Sequence, residues 1–528
     1  MSAPAVEPEL EAPATTVCPF CGTGCGMLLE GGTAYPRRHH PVSRGALCLR
    51  GWSAGELLRS AARVVTAWSR GRGEPLRPCP VEPALEDVAG RIAALRARHG
   101  GASIGILGSA RLTVEETLLL RRLAAAIGTP HLDSFGRTGY LPFPARPFDE
   151  IDAAGEIAVL AANLTVRQPQ VARRLLRAVD RGATVRFVHS RRAQLSSLAA
   201  RHVVAAPGRE LEALGAGAPG ELVLVSSEVA LAGRGADTLR ALAGRRALFL
   251  TDHVNQRGMV EAGLRPSPDG LCAFEMLRAA AGGALKALLV FADDPCEFFP
   301  ALAARAFAGV ELALVVDAVQ TPTARRADVV LPGALLAEKH GTVVNAEGRA
   351  QEVVAVARPP AGWTEGAVAL RLVERLGGEA APGPPPPLAP AAPAAPAPEA
   401  PDAARPFLAA LDTTLFWNSN ALVAATVTAW REARSLFADF APGCVTMNPD
   451  DARSLGVQYA GAVTLTGERG EVTLPARLHP RMLPGTVWVA MPCWERCGER
   501  LGALALDPAL RFPVFVPRAV RVSRPAGA

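Results

Sequence analysis

Cys18, Cys21, Cys25 and Cys48 are the residues whose type and spacing point most directly to chemistry. They stand in C-P-F-C-G-T-G-C-G and, after twenty-two intervening residues, in L-C-L-R-G-W. Four thiolates give one sulfur ligand to each iron of a cubane [4Fe–4S] cluster. Three come from a tight loop, and the fourth returns from outside it. Gly22, Gly24 and Gly26 flank the thiols, where they let the backbone curl closely and offer N–H groups inward. The chemistry implied is one-electron transfer. Four cysteines also suit a structural zinc ion. A disulfide framework fits poorly with a chain of 528 residues that opens without a secretory signal.

Other reactive side chains are scattered. Cys493 and Cys497 form C-W-E-R-C, which is two ligands short of a cluster, and they read as half-buried thiols. Cys79, Cys272, Cys296 and Cys444 stand alone and read as small core residues. His39 and His40 precede Pro41 near the thiols, but with four cysteines present no histidine ligand is needed. Trp417, Trp430, Trp488 and Trp494 gather in the last quarter, where packing is the plain reading and stacking on a cofactor the alternative.

The elements that must position these residues can be read from pattern. Residues 1–16 have no basic or apolar targeting region and read as a disordered leader, and residues 17–55 form the short cluster unit. From residue 85 amphipathic helices alternate with apolar strands. T-V-E-E-T-L-L-L-R-R-L is a helix with Thr113 as its N-cap and Glu116 three residues on. Strand candidates include I-A-V-L-A-A-N, T-V-R-F-V-H-S, E-L-V-L-V-S-S, A-L-L-V-F-A-D-D and L-A-L-V-V-D-A. The alternation predicts α/β domains with doubly wound parallel sheets over 56–376, and ligands at the carboxyl ends of the strands. Residues 377–405 are Pro/Ala-rich, which predicts a semi-rigid linker. A helical stretch near 418–437 follows, and V-T-L-T-G-E-R-G-E-V-T-L-P-A-R-L with G-T-V-W-V-A-M predicts a small β-barrel within 406–528.

Net charge is +6, and the basic residues are nearly all arginine; only Lys286 and Lys339 are lysines. No dense basic stretch interleaves with aromatics, so nucleic acid is not an expected partner. Arg37-Arg38 and Arg191-Arg192 could instead meet the phosphates of a nucleotide. No window is apolar enough for a membrane span. The expected location is the cytoplasm, with membrane association only through partners.

The cluster motif followed by H-P-V-S-R-G-A-L-C-L-R-G resembles the molybdopterin oxidoreductase family. S-A-R-L-T-V-E-E-T-L-L-L-R-R-L-A-A-A-I-G-T is similar to that family's first pterin-domain unit. T-A-R-R-A-D-V-V-L-P-G-A-L-L-A-E-K-H-G-T-V-V-N-A-E-G-R-A-Q is similar to its later signature, and N-P-D-D-A-R-S-L-G-V to the opening of its C-terminal dinucleotide-binding barrel. The resemblance implies an N-terminal [4Fe–4S] unit, pterin-binding α/β domains, a molybdopterin dinucleotide-binding barrel and, as a possible cofactor, molybdopterin guanine dinucleotide. It also implies redox partner subunits that carry further iron–sulfur clusters. In this family a Lys or Arg just after the fourth cysteine lies between cluster and pterin, and Arg50 holds that place; the plainer reading is a surface arginine.

Within the family, G-T-P-H-L-D-S-F-G-R-T, N-Q-R-G-M-V-E-A-G-L and N-A-E-G-R-A-Q are most similar to the large iron–sulfur subunit of NADH-quinone oxidoreductase, complex I. The cluster motif also resembles formate dehydrogenase catalytic subunits. Those subunits place Cys or selenocysteine, then His, in D-x-x-x-R-x-C-H-x-P; the match here is Asp133, Arg137, Gly139, Tyr140 and Pro142. Glycine offers a metal no side chain, and tyrosine is a poor proton acceptor at neutral pH. One alternative is a metal held without a protein ligand, as in some members of the family; another is that Asp133 or Ser134 shifts into reach. After a strand where the family has an acidic residue stands F-V-H-S-R-R, in which His189 either bonds a ribose or is a strand-end surface histidine. The expected function is an iron–sulfur electron-transfer oxidoreductase subunit. The alternatives are an active Mo/W bis-molybdopterin enzyme similar to formate dehydrogenase, or a cluster-bearing scaffold without catalysis.

Overall fold

A computed structural model describes residues 14–71, 73–198, 201–378, 383–386, 395–412, 422, 426 and 443–525. It divides into two compact units. The first comprises Met1–Arg137, His253–Pro387 and Asn418–Glu432; the second comprises Thr138–Asp252, Leu388–Trp417 and Ala433–Ala528.

The first unit begins with a three-stranded antiparallel sheet, Ala14–Val17, Gly26–Glu30 and Thr33–Pro36. The end of the expected disordered leader is therefore a strand: the β-branched run Thr15-Thr16-Val17 pairs with Gly26–Leu28. The same unit holds a seven-stranded sheet. Its parallel core runs Leu132–Asp133, Ile104–Leu107, Ala287–Phe291, Leu312–Asp317 and Val329–Pro332. Ala67–Ser69 and Arg77–Cys79 add antiparallel edges. The central strands are buried throughout, which is why they read as unbroken apolar runs.

Helix Val114–Ile127 starts where its sequence says it should. Thr113 Oγ1 accepts from the Glu116 N–H at 3.2 Å, and Glu116 Oε2 accepts from the Thr113 N–H at 3.0 Å. The same Glu116 then pairs with Lys339, which also meets Glu365. One of the chain's two lysines thus sits in the interior, in a hydrogen-bonded ion triad.

The second unit holds a five-stranded parallel sheet and a closed barrel. Sheet order is Arg201–Val204, Thr184–His189, Glu156–Leu160, Leu222–Ser226 and Arg246–Leu250. The barrel joins Phe407–Asp412, Thr486–Ala490, Val445–Met447, Glu471–Leu478, Ala462–Thr466 and Arg518–Ser523. The strand pair expected about G-E-R-G is present, with Thr466 opposite Glu471. Most of the helical stretch expected near 418–437, with Trp417 and Trp430, lies outside the described residues, as do parts of the proline-rich linker. Among the described residues no helix is long and apolar enough to cross a membrane.

Candidate functional site

The loop connecting Ala14–Val17 to Gly26–Glu30 carries Cys18, Cys21 and Cys25. The Cys18 N–H donates to the Cys25 carbonyl at 2.8 Å, and the Gly24 N–H to the Cys21 carbonyl at 3.3 Å. Cys48 arrives as the N-cap of the short helix Leu49–Trp52. Cys18, Cys21 and Cys25 are buried, while Cys48 is half-buried. Burial pushes the Cys18 and Cys25 thiols well up, and neighbouring cysteines push them further: Cys48 and Cys21 for the first, Cys18, Cys21 and Cys48 for the second. Four sulfurs within electrostatic reach need metal charge to exist as thiolates.

Among the described residues, no three His, Cys, Asp or Glu side chains are gathered tightly enough to grip one metal ion.

The loop is gripped from outside by the hairpin of Gly341–Val344 and Ala350–Val353. Asn345 Nδ2 donates to the Thr23 carbonyl at 3.1 Å, and Gln351 Nε2 to the Gly24 carbonyl at 2.9 Å. The Ala346 N–H reaches the Gly22 carbonyl at 2.8 Å. Gly24 has φ +69°, and a Cβ there would sit 2.2 Å from Gln351 Oε1, so this position requires glycine on both counts. His40 is buried, and its Nδ1 accepts from the Gly26 N–H at 3.1 Å. Burial, with Arg37 and Arg349 nearby, lowers its pKa to about 4, so the ring is neutral as that bond requires. His39 is exposed. The parts played by Asn345 and Gln351 are not apparent from residue type; the only signal is the polar run N-A-E-G-R-A-Q after an apolar strand.

Arg50 is buried, not the surface arginine of the plainer reading. Burial alone would lower its pKa, but Cys21, Cys48 and Cys18 more than offset that, and the guanidinium stays charged. It is a fixed cation beside four sulfurs.

The 133–142 segment contributes no metal ligand. Arg137 clasps Asp133 through Nε–Oδ1 at 2.7 Å and Nη2–Oδ2 at 2.9 Å, and Asp133 Oδ2 also accepts from the Ala273 N–H. Ser134 Oγ accepts from the Gly136 N–H and donates to Asp293. Both side chains suggested as replacement ligands are committed elsewhere. In the second unit Gly139 has φ +81°, and a Cβ there would lie 2.9 Å from the Ser227 Cβ. A side chain at this position would be strained on both counts. Tyr140 is buried edge-on against Phe249, with ring centroids 5.7 Å apart.

A second polar constellation lies where the five-stranded sheet meets the barrel inside the second unit. His189 is 1% exposed, so it is not a surface histidine. Its Nε2 lies 3.4 Å from Glu228 Oε2. Arg191 reaches Glu228 at 3.5 Å and donates to Asp412 Oδ1 at 2.6 Å, and its guanidinium lies 5.0 Å over the Trp488 ring. Burial pushes the Glu228 carboxyl up, but Arg191 and His189 bring it down to about 2. Glu228 and Trp488 line a narrow concavity with Gly208, Glu210 and Leu411. Carboxylates that accept from ring N–H groups, beside a large aromatic, are what a nucleobase needs. At the start of helix Pro169–Asp180 and after strand Arg246–Leu250, Gln168 Oε1 and Thr251 Oγ1 are buried without a hydrogen-bond partner among the described residues, and both suit a polar ligand group. Trp494 is core, as are Cys493 and Cys497.

Three family models match the chain. They are the molybdopterin oxidoreductase Fe4S4 domain at 13–60, molybdopterin oxidoreductase at 273–363, and the molydopterin dinucleotide binding domain at 422–512. The chain is 22% identical to F420-dependent formate dehydrogenase 1 subunit alpha of Methanococcus maripaludis, over 96% of this chain and 99% of that one. It is 23% identical to an NADPH-Fe(3+) oxidoreductase subunit alpha of Geobacter sulfurreducens, over 96% and 74%. It is also 23% identical to a nitrate reductase of Symbiobacterium thermophilum, over 71% and 67%. In structure it is similar to acetylene hydratase from Pelobacter acetylenicus, with TM-score 0.69, 13% identity and coverage of 97% and 100%; this is a likeness of fold. The nearer resemblance to the complex I subunit is corrected by these relatives, which are formate dehydrogenase, metal oxidoreductase and nitrate reductase chains. The pterin cofactor, a mere possibility from sequence, gains the support of a dinucleotide-binding match.

Proposed function

Because this chain belongs to the molybdopterin oxidoreductase family and carries its Fe4S4 domain, we propose that it is the catalytic, alpha-type subunit of a molybdenum or tungsten oxidoreductase. The substrate class is a small oxyanion such as formate or nitrate, the class named for its relatives. The observation that carries the reading is the closed six-stranded barrel overlapping a dinucleotide-binding match, the part of the fold that would take the nucleotide half of a pterin cofactor.

When bound, the metal–pterin group supplies two-electron chemistry and the cluster a one-electron relay. Cys18, Cys21, Cys25 and Cys48 would hold the cluster. Asn345 and Gln351 fix the loop that aims three of them. Arg50 keeps positive charge beside the sulfurs, which favours the reduced state. Arg191 and Glu228, with the Trp488 indole, would recognise the nucleotide half of a pterin dinucleotide. Position 139 gives the metal nothing, so the residues here do not fit a cysteine- or selenocysteine-ligated centre, and no proton step involves Tyr140.

That absent ligand favours a second reading: an electron-transfer subunit that keeps the fold without the metal. Extraction of the whole purified protein separates the two. The first reading expects oxidised pterin fluorescence and guanine nucleotide released in stoichiometric amount. A cluster-loaded protein that releases neither is the second.

A further inference from the structure

The proline-rich stretch that precedes the barrel is not a bare spacer along its whole length. Its end, residues 395–405, belongs to the second unit. In A-P-A-P-E, Ala395 and Pro398 are buried, while Pro396 and Ala397 between them are exposed. A polyproline II helix turns once in about three residues, so positions i and i+3 share a face. That face is the one laid against the protein. Proline also fixes φ beforehand, so the segment gives up little freedom when it docks.

Each of the two buried residues sits on a glycine. A Cβ at Gly208 would lie 2.5 Å from Pro398 Cγ, and one at Gly233 would lie 3.3 Å from Ala395 Cβ. Arg234 Nη1 donates to the Gly208 carbonyl at 3.2 Å, which ties the two seats together. Glu399 then pins the segment. Its N–H donates to the Pro517 carbonyl at 3.1 Å, its Oε2 accepts from the Ala519 N–H at 2.9 Å, and its Oε1 pairs with Arg518 at 3.2 Å. Gly208 and Pro517 are themselves two of the residues that line the concavity beside Glu228 and Trp488. Leu231 and Ala232, which lead into Gly233, line it as well. The segment is thus fastened, by packing and by hydrogen bonds, to the wall of the concavity on the side away from Glu228.

We propose that Ala395–Glu399 is a strap that retains the nucleotide half of a dinucleotide in this concavity, with Glu399 as its positioning residue. The inference rests on the nucleotide reading of the concavity given above, but not on the metal. A nucleotide that passes Gly208 and Pro517 requires the strap to lift. The strap therefore slows entry and exit alike, as a lid does. A segment that only ties the barrel to the sheet changes neither rate.

The test uses the full-length protein made without pterin and tritiated GDP, a probe that carries only guanosine and a diphosphate. Rapid filtration reads its uptake and release, and hydrogen exchange follows the backbone of 395–405 with and without it. GDP is expected to slow exchange across 395–405 in the native chain, a measurement that needs no variant. Glu399→Ala and Pro398→Gly are expected to release GDP about tenfold faster and to take it up faster too. Release at the native rate from both variants overturns the strap, and so does exchange at 395–405 that GDP leaves unchanged. Faster release with unchanged uptake also overturns it, because Pro398 is then a fixed wall of the site. A native chain that binds no GDP overturns the nucleotide reading and the strap with it. GDP bound by a chain whose strap does not respond overturns the strap alone.

Discussion

Arg50 shows how a single charge can govern the cluster unit. It is buried, and three of the four cysteines set its protonation. Replacing it by glutamine keeps length and polarity but removes the cation. Arg50→Gln is expected to lower the cluster's midpoint potential, because the reduced state loses its nearest positive charge. An EPR-monitored redox titration reads this; an unchanged potential would show that the guanidinium is only packing. The four cysteines stand out in the sequence because a cluster would dictate residue type and spacing together. Asn345, Gln351 and Glu228 do not, since amides and carboxylates are common and nothing local marks which carbonyl or cation they will meet. Position 139 lies between. Its glycine is visible in the sequence as a missing ligand, but only the left-handed φ and the Ser227 contact show that a side chain there would be strained. Gly139→Cys is expected to destabilise the protein by about 1–3 kcal/mol, from backbone strain alone, and to add no metal affinity. Denaturant midpoints and metal content check this together.

At the scale of elements, the hairpin after Gly341 acts as a clamp. Three hydrogen bonds run from it to the carbonyls of Gly22, Thr23 and Gly24. Gln351 also lies 3.1 Å from His40 Nε2. Gln351→Leu should leave the fold intact but free the loop, so that loaded iron is lost to air or chelator several-fold faster than from the native chain. Equal rates of loss would mean that the clamp is redundant. Most strands were legible because buried parallel strands are continuous apolar runs. The strand at Ala14–Val17 was hidden because four residues rich in threonine look like the end of a polar leader. What makes them a strand is a partner, Gly26–Glu30, set by the cluster loop itself. The family-level fold followed from motif order; the choice among branches did not, because stretches of about ten residues carry too few positions to separate one branch from another.

At the scale of the whole molecule, each unit builds a parallel sheet and collects buried charge at its strand ends. In the first unit Asp293 is buried and accepts from the backbone N–H groups of Phe135 and Asp294. Burial raises its pKa from 3.8 to about 7, and that of Asp294 to about 6. A raised acid binds more protons in the native state than in the unfolded one. Stability therefore falls as pH rises from the unfolded value through about 7, and levels off above it. Denaturant midpoints from pH ~5 to pH ~8 should show this fall, and Asp293→Asn should flatten it. Parallel profiles for the two proteins would remove Asp293 as the cause.

Under the proposed function, a competent cluster and a metal–pterin centre occupy one chain whose position 139 gives the metal no thiolate. Metal analysis of the full-length protein, purified without air, tests it most directly. The expected result is about four iron with about one molybdenum or tungsten per chain. Iron alone would contradict the catalytic reading, and zinc in its place would contradict the cluster as well.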